Sequence, residues 1–387
     1  GGETAVQRLD DAAILHINTP ANDGQGAKGA VGALDAQALT GRGAVQLLDG
    51  FQVLALGVVA EVIVQQVVDH QPNGVHGTLR HGGVAALAPA ADDGGTALPC
   101  LEGHALGLDE CAHADAYAAW DSIAHPLGGL GDFEDAVACI AAAQGSAEVA
   151  EFPRALAVFF SDNGVVAEGV SQSGQDVTRA VARNMCEGAT SACRMAAFAG
   201  AEVVPVDVGM ARGIEDARMV RANVQRGSGN IALGSAMSRD GAVRAIEVGI
   251  AVACGLARAG VRLLVAGEMG IGNTTSTAAV TAALLHAPVE LVTGRGSGLT
   301  SEGLQRKIQV VTRALEQWQP NQHDPIDILS KVGGYDLCGL TGLFLGGALC
   351  GLPMIIDGVI ASAAALCAVR LCPTVRDYLI ASHHTAE

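Results

Sequence analysis

Beyond about residue 150 the chain alternates short apolar runs with longer runs of helical length. Residues 155–160 are apolar and end at the turn-forming Ser161-Asp-Asn-Gly, and residues 202–208 and 261–266 repeat the pattern. Apolar runs of this length, bounded by turn signals, suit strands buried on both faces, which is how parallel sheets read. Between them, residues 176–199 and 240–259 have helical length and composition, the first with Asp176 near its start, where an acid suits the helix dipole. The order β-α-β-α-β, with polar and glycine-rich segments after the strands, predicts an α/β fold. It is a Rossmann-like open, mostly parallel sheet with helices on both faces.

Asp336 and Asp357 bracket twenty uncharged residues, 337–356, a length that could span a bilayer. Five glycines and Pro353 interrupt them, so the run reads as a short buried helix, a glycine-containing turn and a strand at 352–356. No secretory signal is visible at the start, which favours a cytoplasmic location.

The first 110 residues differ. They hold one aromatic residue, Phe51, and a net charge of −9 from four Lys/Arg against thirteen Asp/Glu. Residues 53–68 fit a strand or a buried helix, and Asp92-Asp-Gly-Gly fits a turn. No methionine precedes Met185 and residue 1 is Gly, so the sequence reads as a fragment, a processed product or a reading begun upstream of the gene. Residues 1–111 are expected to be an extension of unrecognised kind, disordered or artefactual, or else a small domain.

Composition narrows the class. Half the residues are hydrophobic, 3% are aromatic and 51 are glycine, which suits α/β layers more than an aromatic-rich sandwich. A net charge of −17 argues against nonspecific nucleic-acid binding and leaves anionic substrates to local loops. The ten cysteines show no C-x-x-C pair. Cys338, Cys350 and Cys367 lie in apolar runs, as reduced core cysteines do. His70, His76 and His81 lack acidic or cysteine partners at metal-ligand spacing, so no metal is expected.

The chemistry gathers in two glycine-rich loops. Gly267-Glu-Met-Gly-Ile-Gly-Asn-Thr-Thr-Ser276 follows the apolar run 261–266 and precedes the helix-forming run 277–285. A strand, a glycine loop and a helix N-terminus make a phosphate cradle, and Glu268 adds an acid to it. The spacing imitates a Walker A loop, but Asn273 stands where that loop needs its lysine, which disfavours triphosphate hydrolysis. Downstream, Thr293-Gly-Arg-Gly-Ser-Gly-Leu-Thr-Ser-Glu-Gly-Leu-Gln-Arg-Lys307 enters another helix. Lys307 is one of only three lysines, with Lys28 and Lys331, and stands where it could reach back toward the loop as a point charge.

These loops, in this order, resemble the nicotinate-nucleotide:dimethylbenzimidazole phosphoribosyltransferase family. His125-Pro-Leu-Gly-Gly-Leu-Gly-Asp-Phe-Glu134 resembles the family's Pro-Gly-Ser-Leu-Gly segment, and Ser161 to Thr178 resembles the loop that lines its base pocket. Val332-Gly-Gly-Tyr-Asp, Ile356-Asp-Gly-Val-Ile and Ala381-Ser-His-His-Thr-Ala-Glu387 continue the likeness, which covers roughly residues 112–387. It implies a Rossmann-like core at 151–387 and a smaller helical domain that includes 112–150. It also implies a homodimer and displacement at the ribose anomeric carbon of nicotinate mononucleotide by a benzimidazole nitrogen, inverting β to α without metal or cofactor.

Carried onto this sequence, the resemblance makes Glu268 an active-site carboxylate near the ribose. Gly270, Gly272, Asn273, Thr274 and Thr275 become phosphate or ribose contacts, completed by Gly294, Gly296, Gly298 and Lys307. Ser171 and Gln175 fall in the benzimidazole segment, and His383, Thr385 and Glu387 in one that closes the pocket. Asn163 departs from the histidine of the Asp-His-Gly form. A Leu-Gly-Glu-Gly-x-Gly motif, whose glutamate would be the principal base, is not reached before Glu387. Were the sequence the complete product, reduced turnover would be expected, with Glu268 as a partial substitute. Two alternatives stand beside this reading: a nucleotide-binding module without turnover, and phosphoribosyl transfer to another base.

Overall fold

The computed structural model describes residues 107–383. In chain order the elements are α1 (Glu110–Asp121), α2 (Asp132–Gln144), β1 (Arg154–Ser161), α3 (Asp176–Cys186), α4 (Ser191–Phe198), β2 (Ala201–Gly209), β3 (Val220–Arg221), α5 (Arg239–Arg258) and β4 (Leu263–Met269). They continue with α6 (Asn273–Leu285), α7 (Val289–Val292), α8 (Ser301–Trp318), α9 (Pro325–Val332), α10 (Tyr335–Leu349), β5 (Met354–Ile356), α11 (Gly358–Leu371) and β6 (Leu379–Ala381). The stretches expected at 53–68 and at Asp92, the histidines 70, 76 and 81, and Thr385 and Glu387 lie outside the described residues.

The strands form one six-stranded sheet in the order β3-β2-β1-β4-β5-β6, and every pairing is parallel. The expected α/β class holds, with an open sheet and not a closed barrel. The chain runs outward from β1 through β2 to β3, then returns to lay β4 on the other side of β1. Strand order reverses there, and an open α/β sheet leaves a ligand crevice beyond the carboxyl ends of the two strands that part.

Alternation along β1 explains why both faces are covered. Ala155, Ala157 and Phe159 join the large core formed with α5, α6, α10 and α11. Val158 and Phe160 join a second cluster with Ala182, Met185 and Cys186 of α3 and Cys193 of α4. Successive strand residues point to opposite faces, so a continuously apolar strand requires helices on both.

Helices α5 and α10 pack against each other unusually closely. A β-carbon on Gly249 would lie 2.0 Å from Gly339 O, and one on Gly342 would lie 1.9 Å from Ile246 O. Only glycine permits that approach. α10 is buried along almost its whole length, including Asp336 near its start. The uncharged run 337–356 is thus a core helix, a turn at Gly351 and the strand β5; among the described residues no helix is long and apolar enough to cross a membrane.

One element differs from expectation. The single helix anticipated at 176–199 is two, α3 and α4. Gly188 takes φ 72°, and the Thr190 side chain accepts a hydrogen bond from Cys193 N at 3.2 Å, starting the second helix. A Thr cap of this kind contributes about 1 kcal/mol. At the other end of the described chain, α1 starts at Glu110, capped by Asp109, and packs against α2 through Ala116, Ala138 and Ala141.

Candidate active site

β4 ends at Glu268 and Met269, beside the end of β1 at Phe159 and Phe160. Glu268 therefore stands at the mouth of the crevice, and it keeps partial solvent contact. The following loop turns sharply: a β-carbon on Gly270 would sit 2.5 Å from both Asp336 Oδ2 and Ser161 O, so the backbone passes directly over the strand ends. Gly272 caps α6 without a side-chain bond, which leaves the helix start to the loop.

Asn273, the first residue of α6, is buried and clamps two carboxylates. Its amide donates to Glu268 Oε2 and, at 3.1 Å, to Asp336 Oδ2. Asp336 also accepts from its neighbour Leu337 N at 3.0 Å. Burial, then the Asp336 charge, push the Glu268 carboxyl up to about 7, against the opposing pull of the Asn273 amide. Burial likewise lifts Asp336 to about 6. Two acids sharing one amide do not both ionise easily, which holds the Glu268 carboxyl well above the usual carboxylate range.

A cationic subsite adjoins this pair. Lys307, on α8, is only 1% exposed, and its Nζ donates to Thr274 Oγ1 at 2.9 Å and to Gly294 O at 3.1 Å. Burial lowers its amine to about 8. Gly296 lies against the same pair, since a β-carbon there would be 3.0 Å from Thr274 Oγ1 and 3.6 Å from Lys307 Nζ. Thr275 is buried and its Oγ1 is unengaged among the described residues. A buried ammonium, glycine backbone and the N-terminus of a helix converge here, which is a setting for a phosphate.

The base-pocket segment is tied to the same centre. Gln175 Nε2 donates to Asn163 O at 3.1 Å, and Ser276 Oγ donates to Asn163 Oδ1 at 3.0 Å. Gln172 donates to Gly298 O, joining the base loop to the second glycine loop. Ser171 Oγ accepts from Ser173 N at 3.2 Å, within its own turn. His383 Nδ1 sits 3.6 Å from Asp357 Oδ1 at the β5–β6 edge, and Thr385 lies outside the described residues.

Two placements add to the sequence-based assignment. Asn273, expected as a phosphate or ribose contact, has its amide committed to the carboxylates. Asp336, quoted only within a motif, is the second acid of the site. Its signal was available: a Gly-Gly pair and a carboxylate open an otherwise uncharged run. Among the described residues no group of three or more His, Cys, Asp or Glu could hold a metal ion.

Known proteins resemble this chain over its described part. A family model described as phosphoribosyltransferase matches residues 106–387. A nicotinate-nucleotide–dimethylbenzimidazole phosphoribosyltransferase of Acetivibrio thermocellus is 44% identical over 267 residues, 69% of this chain and 76% of the relative. The namesake protein of Clostridium acetobutylicum is 40% identical over 281 residues, 73% of this chain and 80% of its own. The crystal structure of CobT from Thermus thermophilus aligns with a TM-score of 0.67 at 39% identity, covering 70% of this chain and 82% of that one. The parallel sheet, the two glycine loops at its carboxyl edge and these matches have one reading: the chain belongs to the phosphoribosyltransferase family.

Proposed function

We propose that this enzyme moves the phosphoribosyl group of nicotinate mononucleotide to 5,6-dimethylbenzimidazole, a step in making the lower ligand of cobalamin. The products are nicotinate and α-ribazole 5'-phosphate. One observation carries the reading: Asn273 and Thr274 are consecutive, so the carboxylate that titrates near neutrality and the buried cation that suits a phosphate stand side by side. The names of the relatives support the substrate pair.

In this reading the 5'-phosphate lies against Lys307, Thr274, Gly294, Gly296 and Gly298, and the ribose is thereby held over Glu268. The benzimidazole nitrogen attacks the anomeric carbon from the face opposite nicotinate. The new C–N bond forms as the bond to nicotinate breaks, its electron pair leaves with the pyridine nitrogen, and the configuration inverts. Nicotinate departs as a neutralised pyridinium, so the leaving group needs little help. The azole N–H proton passes to ionised Glu268, whose negative charge also offsets the positive charge developing on the ribose. Alignment of the two rings and this proton transfer are the protein's main contributions. The family resemblance also leads us to propose a cytoplasmic homodimer, with sedimentation at the mass of two chains as its check.

The test is nicotinate release from nicotinate mononucleotide with and without 5,6-dimethylbenzimidazole, with the product anomer assigned by NMR. Benzimidazole-dependent release of the α-product is expected. Binding without release would replace the proposal with a nucleotide-binding role, and release with a different base would replace the acceptor.

A further inference from the structure

Far from the crevice, α5 and α10 lie side by side in a repeating register. A β-carbon on Gly342 would meet Ile246 O, and one on Gly346 would lie 2.8 Å from Ile250 Cα. One turn further along both helices the next facing pair is Cys254 and Cys350. Here both side chains are present, and Cys350 Sγ donates to Cys254 Sγ at 3.3 Å. The glycine contacts hold the two backbones close, so the thiols meet because the helices leave them nowhere else to go. Both are free cysteines; Cys350 retains partial exposure and Cys254 is 7% exposed.

We propose that Cys254 and Cys350 form a reactive dithiol that closes to a disulfide under peroxide, stapling α5 to α10. The two positions lie 96 residues apart in sequence, so chance proximity within one loop is not the cause. Cys254 is the attacking sulfur. Its thiol accepts the Cys350 hydrogen bond, which favours its thiolate against the opposing pull of burial, and the Arg258 charge adds to that preference. Cys350, whose proton points at its partner, resolves the intermediate.

The chemistry balances in two steps. The Cys254 thiol and hydrogen peroxide give a sulfenic acid and one water. The Cys350 thiol then attacks that sulfur, forming the S–S bond and releasing the second water. Closure needs the sulfurs to approach from 3.3 Å to about 2.05 Å, which side-chain rotation can supply between helices already in contact.

The experiment treats the full chain with hydrogen peroxide, then maps alkylated peptides by mass spectrometry and records melting with and without dithiothreitol. The expected result is a cross-linked peptide pair containing Cys254 and Cys350. A reductant-reversible rise in Tm of about 5 °C or more should accompany it, because a long loop is closed. C350A and C254A should each abolish both, while C111A, which removes an exposed thiol, should leave both intact. Peroxide that produces no such peptide, or one formed equally between other cysteines, overturns the proposal. So does a Tm rise that persists in C350A.

Discussion

Lys307→Met tests whether the buried amine is the phosphate partner. Among the described residues the hydrogen-bond partners of Lys307 Nζ are a hydroxyl and a carbonyl, and burial lowers its amine from an ordinary 10.5 to about 8. The difference corresponds to about 3 kcal/mol of uncompensated charge burial. The unfolded chain binds more protons between those two values, so this group makes the ligand-free fold more stable as pH rises from about 8 to 10.5, and its cost is fully present below about 8. A phosphate dianion beside the amine reverses the shift. At pH 8.5 about three quarters of the free amines are neutral, so binding nicotinate mononucleotide should take up about 0.7 of a proton, against about 0.1 at pH 7. Calorimetric titration in two buffers of different ionisation enthalpy measures this directly. In Lys307→Met the uptake should vanish, and affinity at pH 7 should fall about 10- to 150-fold, the range for losing a hydrogen bond to a charged group. Wild-type affinity in the variant, or no proton uptake in the parent at pH 8.5, would refute the assignment.

Other outcomes follow from the same geometry. Because ionised Glu268 is the working form, kcat/KM should rise with pH through about 7 and fall again above about 8 as Lys307 loses its proton. Glu268→Gln should remove the rising limb and lower kcat about 100- to 10,000-fold, while nicotinate mononucleotide affinity stays within a few-fold. Asn273→Leu removes the amide that lowers both carboxyls, so the rising limb should move to higher pH than in the parent, read from the pH–rate profile. Gly249→Ala places a methyl 2.0 Å from Gly339 O and forces α5 and α10 apart; about 1–3 kcal/mol of stability should be lost, with Tm lower by roughly 5 °C in a thermal melt.

Much of this architecture was legible in the chain because its signals are local. The apolar strands, and the loop carrying Glu268, are each written in ten or so neighbouring residues. The break between α3 and α4 was missed because helical composition continues on both sides, and only Gly188 and Thr190 mark it. The partnership of Asn273 with Asp336, 63 residues apart, depends on where α10 docks, and no periodicity reports that. Burial of Lys307 was hidden for the same reason: a lysine on a helix reads as solvated until the facing loop closes over it. The thiol pair is legible only once two helices are set in register by glycines.

The reversal of strand order between β1 and β4 also bears on how the protein is made. β1 can pair with β2 soon after both are synthesised, but its other edge must wait until α5 has been completed and β4 has arrived. Pairings of such long sequence separation form late and slowly. The crevice does not exist in any partly folded form that has only β1 to β3 in place, and Glu268 has no Asp336 beside it until α10 has also packed. Turnover is therefore a property of the finished sheet, and a chain arrested halfway holds no fraction of it.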